Sequence, residues 1–197
     1  MLGSLLDTVP PASPRALALH HDVVATVADA MATWPFRYGT TIPALGLADW
    51  LASRGRLVAA ALATVRGCVE MTVKLLRLDG AITGHPPGCD RGRVVPPGPD
   101  EQELRSLAET LAERAGAPQW RYHPSGRAGN VTASAAFLVP RGDVQAFLAR
   151  IAPVASHATG IAVVPTGAGV PYSFVPELDR APLARLSNEA LAPRRAG

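Results

Sequence analysis

Five histidines and two cysteines are the side chains best suited to chemistry in this 197-residue chain. His85-Pro-Pro-Gly-Cys89 sets an imidazole near a thiol, which is how a metal site begins. A structural zinc ion needs four such ligands in paired spacing, and no second pair accompanies this one. His20 and His21 are adjacent on a predicted helix and so point in different directions, one toward a half-buried position and one toward solvent. The expectation is no metal and no cofactor. Nucleophilic catalysis has no better support. There is no Gly-x-Ser-x-Gly, Cys68 lies in a predicted strand without a neighbouring histidine, and no carboxylate pair sits among apolar residues. Thr166-Gly167-Ala168-Gly169 has the look of a phosphate-cradling loop, but Pro171 follows where a helix N-terminus should be, so it reads as a plain turn. The chain is therefore expected not to be an enzyme.

The elements that would position these residues follow from periodicity. Apolar residues at three- and four-residue steps predict a helix over 14–31, with Ser13 as cap and Pro14 at its first position. Trp34-Pro-Phe-Arg-Tyr-Gly-Thr-Thr-Ile42 then reads as a short strand or structured loop. Helical spacing returns over 45–65, where Gly55 predicts either two shorter helices or one kinked helix. Residues 68–78 alternate Val69, Met71, Val73 and Leu75 against Glu70, Thr72 and Lys74, the period of a half-buried strand with Glu70 and Lys74 on its second face. Glycine and proline crowd 79–99, a loop. Residues 100–115 form the clearest helix, opened by a capping box of Asp100 with Glu103 and stopped by Gly116. Strands over 119–123 and 131–139 flank a turn at 124–129, a helix capped by Asp143 runs over 143–151, and a last strand covers 160–165.

From Cys68 to Pro165 the order is strand, helix, strand, strand, helix, strand, which is the ferredoxin-like order. The fold class is thus α+β in two lobes: a helix-rich N-terminal lobe over 1–67, a ferredoxin-like lobe over 68–175 and a tail over 176–197. This fold serves many unrelated functions. One of them, RNA recognition, stacks bases on aromatic residues of the third strand, and 131–139 offers only Phe137 among small residues. Lys+Arg at 19 against Asp+Glu at 16 gives 19 − 16 = +3, too small a surplus to mark a nucleic-acid or membrane surface. The longest apolar run, Leu57 to Val65, falls short of the ~20 residues a membrane helix needs. Two cysteines do not frame a secreted module, and Met1 to Asp7 has no basic start, so the cytoplasm is the expected compartment.

Aromatic residues make up only 5% of the chain, so their concentration matters. Trp34-Pro-Phe-Arg-Tyr-Gly39 and Pro171-Tyr-Ser-Phe174 set aromatic rings beside prolines, as befits an anchor for an interior or for a partner surface. The first of these, with Thr40, resembles the "Pro-x-Arg-Phe-Gly-Thr" segment of the gas vesicle synthesis proteins of the GvpF/GvpL family. His20 or His21 with Val23-Val24, Arg66-Gly67 followed by Glu70 and Val73-Lys74, and Phe137-Leu-Val139 followed by Phe147 fall in that family's order. Thr166-Gly167 leading to Pro171-Tyr-Ser-Phe-Val175 is similar to its closing segment, although Gly167-Ala-Gly-Val-Pro171 lacks the family's tryptophan. The chain also starts later than the family's usual strand-rich beginning, which predicts an exposed sheet edge.

The resemblance implies a non-enzymatic α+β accessory protein of gas vesicle assembly, cytoplasmic and associated with gas vesicles. Its implied partners are the small hydrophobic shell protein (GvpA type) and other gas vesicle accessory proteins, with no nucleic acid and no membrane. The residues carrying its signature, for partner binding or for the fold, are Trp34, Arg37, Tyr38, Gly39, Glu70, Lys74, Tyr172 and Phe174. A reading from another class also fits the predicted fold, a ferredoxin-like regulatory module that senses a small molecule in a concave pocket.

Overall fold

The computed structural model describes residues 7–8, 10–41, 46–78, 100–125 and 131–175. The Pro/Gly-rich segment 79–99 with His85 and Cys89, most of the turn 124–129, and the tail from 176 lie outside the described residues. The chain divides into two compact units, one running through Arg66 and resumed from Phe174, the other Gly67–Ser173.

The first unit begins with α1, Pro14–Ala30. Ser13 caps it by accepting the Ala16 N–H at 3.2 Å, and Pro14 opens it where a missing N–H costs nothing. No residue of α1 is buried. Residues 32–37 have no regular structure, so the aromatic stretch is a loop and not a strand. α2, Leu47–Val65, buries Trp50, Ala61 and Val65 and runs unbroken through Gly55. Of the two expected forms, the break into two shorter helices does not occur. Gly55 lies on the exposed side, and its cost of roughly 1 kcal/mol against alanine is absorbed by leucine, alanine and arginine neighbours that favour helix.

The second unit is a mixed helix and sheet structure. β1, Cys68–Arg77, alternates buried Val69, Met71, Val73 and Leu75 with more exposed residues, as its period-two pattern predicts. α3, Glu101–Ala115, is held at its start by a reciprocal capping box. Asp100 Oδ1 accepts the Glu103 N–H at 2.7 Å, and Glu103 Oε2 accepts the Asp100 N–H at 3.0 Å. It ends at Gly116, whose φ of 63° only glycine adopts without strain. β2 is Trp120–Pro124 and β3 is Val131–Pro140.

α4, Val144–His157, extends past the expected end at Ile151 and through Pro153. The apolar stripe of Val144, Phe147, Leu148 and Ile151 continues to Val154, which packs on the core and offsets the bond that Pro153 cannot make. Asp143 stands at the cap position, but its side chain makes no capping bond; a 3₁₀ turn, Arg141–Asp143, leads into the helix instead. β4, Ile161–Gly169, is longer than expected too. Thr166 to Gly169, read as a turn, continue the ladder: Thr166 faces Thr72, Ala168 faces Met71, and the extra residue, Gly167, forms a bulge.

Among the described residues the strands form one antiparallel sheet in the order β2-β3-β1-β4, with β1 in the middle between β3 and β4. α3 and α4 pack on one face of it. The core between them is centred on Phe137, Phe147, Leu75, Leu111, Ile151 and Val73, all fully buried. Phe137 lies in the middle, stacked near Trp120 and tilted against Phe147 at 5.3 Å between ring centroids. It is therefore closed to a stacking base, whatever its place on the third strand.

Candidate functional site

The signature residues fall into two groups, one in each unit. In the first unit the chain leaves α1 at Met31 and turns back at Arg37–Thr40, where the Thr40 N–H donates to the Arg37 carbonyl at 3.1 Å. Gly39, third in that turn, has φ 82°, a conformation that a side chain would strain by about 1–2 kcal/mol. This turn aims Tyr38 back at α1. Its hydroxyl donates to the Pro10 carbonyl at 3.1 Å, and its ring meets His20 edge to face at 5.7 Å. His20 Nε2–H donates to the Phe36 carbonyl at 2.9 Å, which fixes the tautomer with the proton on Nε2. His20 is half-buried and His21 is exposed.

Around the same loop, Trp34 stacks on Phe36 at 5.8 Å, and Phe36 leans on Trp50 of α2 at 6.3 Å. The Arg54 guanidinium covers the Trp50 ring at 5.4 Å from its centroid. Trp34 and Trp50 are buried. Every polar group named here bonds to a backbone carbonyl or covers a ring, so this group of residues ties the loop to α1 and α2.

In the second unit, Glu70 and Ser173, the residue after Tyr172, come together across the bulged end of the sheet. Glu70 Oε2 accepts the backbone N–H of Ser173 at 2.8 Å, and Oε1 accepts the Ser173 hydroxyl at the same distance. Thr72 reaches the same Oε1 at 3.5 Å. Thr166 donates its hydroxyl to the Thr72 carbonyl at 3.0 Å and so pins the bulge. The Tyr172 N–H donates to the Val170 carbonyl at 2.8 Å where the 3₁₀ turn Tyr172–Phe174 begins; Phe174, buried, already belongs to the first unit. Burial pushes the Tyr172 phenol up from its ordinary range.

A serine facing a carboxylate invites comparison with a nucleophile and its base. Here the carboxylate also takes the Ser173 backbone N–H and the Thr72 hydroxyl, so the pair clasps a turn. Lys74 is not drawn in. It is exposed, and four residues along a strand put it roughly 13 Å from Glu70. Cys68 is half-buried, and burial holds its thiol protonated. Among the described residues, no three histidine, cysteine, aspartate or glutamate side chains come together as a metal site would require.

Sequence reasoning did not single out Ser173, Thr166 or Tyr122. Ser173 and Thr166 lie inside the closing segment, where their polar side chains among apolar residues were the available signal. The alternation of Trp120 and Tyr122 with polar residues placed Tyr122 on a strand and said nothing of its surroundings. Its hydroxyl is buried without a hydrogen bond of good geometry, its ring lies under the Arg105 guanidinium at 4.6 Å, and its phenol is pushed up to about 12, by burial first and by the nearby Glu101 carboxylate second.

The family model described as "Gas vesicle synthesis protein GvpL/GvpF" matches residues 4–86 and 100–176 of the chain. Two solved structures are similar in fold. The crystal structure of gas vesicle protein GvpF from Microcystis aeruginosa superposes with a TM-score of 0.63 at 15% identity, over 88% of this chain and 83% of that one. That of GvpF from Anabaena sp. PCC7120 gives a TM-score of 0.63 at 13% identity, over 87% and 82%. No curated protein matches the chain. Among the described residues no helix is long and apolar enough to cross a membrane.

Proposed function

The chain belongs to the gas vesicle synthesis protein GvpL/GvpF family, and from that we propose that it serves gas vesicle formation as a non-enzymatic assembly factor. In this reading it binds the small hydrophobic shell protein in the cytoplasm, aids its nucleation or growth into a shell, and stays associated with vesicles. The observation that carries the reading is the family match over residues 4–86 and 100–176. We read the sheet order of the second unit as ferredoxin-like, and the two compact units as two lobes.

The geometry supports a docking role in a specific way. The signature residues Tyr38, Gly39 and Glu70, together with His20, are occupied in holding loops and turns, so they build the frame. Leu17, Leu19 and Val23 on α1, by contrast, keep 45%, 65% and 44% of their surface exposed. Leu19 and Val23 are one turn apart on the same side of the helix, beside a half-buried stripe, which is the form in which a helix offers an apolar face to a hydrophobic partner. Burying the exposed part of two such side chains contributes roughly 1 kcal/mol each.

Co-expression with the shell protein followed by affinity capture tests this. Retention of the shell protein through low and moderate salt is expected, because the contact is apolar. Its loss at both salt levels would refute the proposal.

A further inference from the structure

Among the described residues the sheet of the second unit has β2 at one edge and β4 at the other. An edge strand presents a row of free N–H and C=O groups to which another strand can add. Which groups are free follows from the phase of the ladder, since antiparallel pairs alternate between those bonded to each other and those facing away. On the β4 side, the Leu78 N–H donates to the Gly160 carbonyl at 3.0 Å. Stepping by two along the register, Leu76 with Ala162, Lys74 with Val164 and Thr72 with Thr166 are the bonded pairs. The backbone groups of Ile161, Val163 and Pro165 therefore face outward. On the β2 side, the Leu138 N–H donates to the Gln119 carbonyl at 3.0 Å and the Ser125 N–H to the Thr132 carbonyl at 3.3 Å. Arg121 with Ala136 and His123 with Ser134 are then the bonded pairs, and Trp120, Tyr122 and Pro124 face outward.

Each edge thus carries a proline at an outward-facing position, and both prolines are exposed. Neither costs the internal ladder a bond, and each removes a donor that an incoming strand would need while its ring obstructs the approach. On β4 the bulge at Gly167 adds a bend directly after Pro165, which shortens the straight run of edge further. We propose that Pro124 and Pro165 close both edges of this sheet to strand addition by a second copy of the chain.

The test is Pro124→Thr and Pro165→Thr, singly and together, in the full chain. Threonine restores the donor and suits a strand. Circular dichroism is expected to stay at the wild-type spectrum, while light scattering after size exclusion shows concentration-dependent association, about tenfold tighter than wild type for each restored donor. Adding Val164→Lys to Pro165→Thr, a charge on the same exposed edge, is expected to return it to wild-type behaviour. Variants that run as wild type at every concentration overturn the proposal. So does equal association by Pro10→Thr, a proline outside the sheet, and so does failure of the threonine variants to fold, because an outward donor in water should cost the sheet nothing.

Discussion

The Glu70 carboxylate takes both hydrogens that Ser173 offers, the backbone N–H on Oε2 and the hydroxyl on Oε1, each at 2.8 Å. The clasp joins β1, an inner strand of the sheet, to the last residue of the same unit. Glu70→Gln replaces one acceptor oxygen by a donor that faces a donor, and is expected to cost about 1–2 kcal/mol, toward the lower end because the pair is only part-buried. Ser173→Ala should cost about 1 kcal/mol. The double variant should cost less than the sum of the two. Urea unfolding of the three variants measures this, and strictly additive costs would show that the residues do not act as a unit.

Tyr122 should make stability fall at high pH. A free phenol loses its proton near 10, whereas in the folded chain this one is held up to about 12. Between those values the unfolded state has released a proton that the folded state keeps, so stability is full below about pH 10 and declines as pH rises toward 12. Tyr122→Phe is expected to flatten part of that decline, leaving the part due to Tyr172, whose phenol is raised as well. At neutral pH the same variant should be neutral or slightly stabilising, because the buried hydroxyl has no well-formed bond to lose. Unfolding midpoints across pH 8–11 decide it; a parallel loss in wild type and variant would remove Tyr122 from the account.

The glycines divide by backbone conformation. Gly55 is helical, and a methyl group placed there meets nothing within 4 Å, so Gly55→Ala should stabilise α2 by about 0.5–1 kcal/mol. Gly39 and Gly116 lie at φ 82° and 63°, so alanine at either should cost about 1–2 kcal/mol. Thermal melts of the three variants with opposite signs of shift are the expected result. A destabilised Gly55→Ala would mean that the helix needs its flexible midpoint.

What could be read from the sequence was what is decided locally. The Asp100–Glu103 capping box, the Gly116 stop, the Ser13 cap and the alternation of β1 depend on neighbours within a turn or a strand pitch, and each is found where its pattern predicts it. Three stretches run on past residues that locally favour a break. Gly55, Pro153 and the Thr166–Gly169 stretch are local breakers, yet α2, α4 and β4 continue through them. In α4 and β4 distant contacts outweigh the break: Val154 packed half-buried against the core, and Thr166 bonded to the Thr72 carbonyl. The clasp of Glu70 with Ser173 spans 103 residues, and no spacing rule reaches that far. The family resemblance named Glu70 and Tyr172 as signature residues but paired neither with Ser173.

The division between frame and docking face yields the prediction most informative about function. Leu19 and Val23 are exposed and make no structural bond, so Leu19→Lys with Val23→Lys should leave the melting temperature within a degree or two while putting two charges where a hydrophobic partner would have to bury them. Capture of the shell protein should fall at least about tenfold. Tyr38→Phe, which removes the hydroxyl bond to the Pro10 carbonyl, should do the reverse: a small loss of stability, with capture unchanged. If instead the lysine pair captures shell protein as well as the wild type does and Tyr38→Phe does not, the loop anchored on His20 is the contact surface and the exposed face of α1 is not.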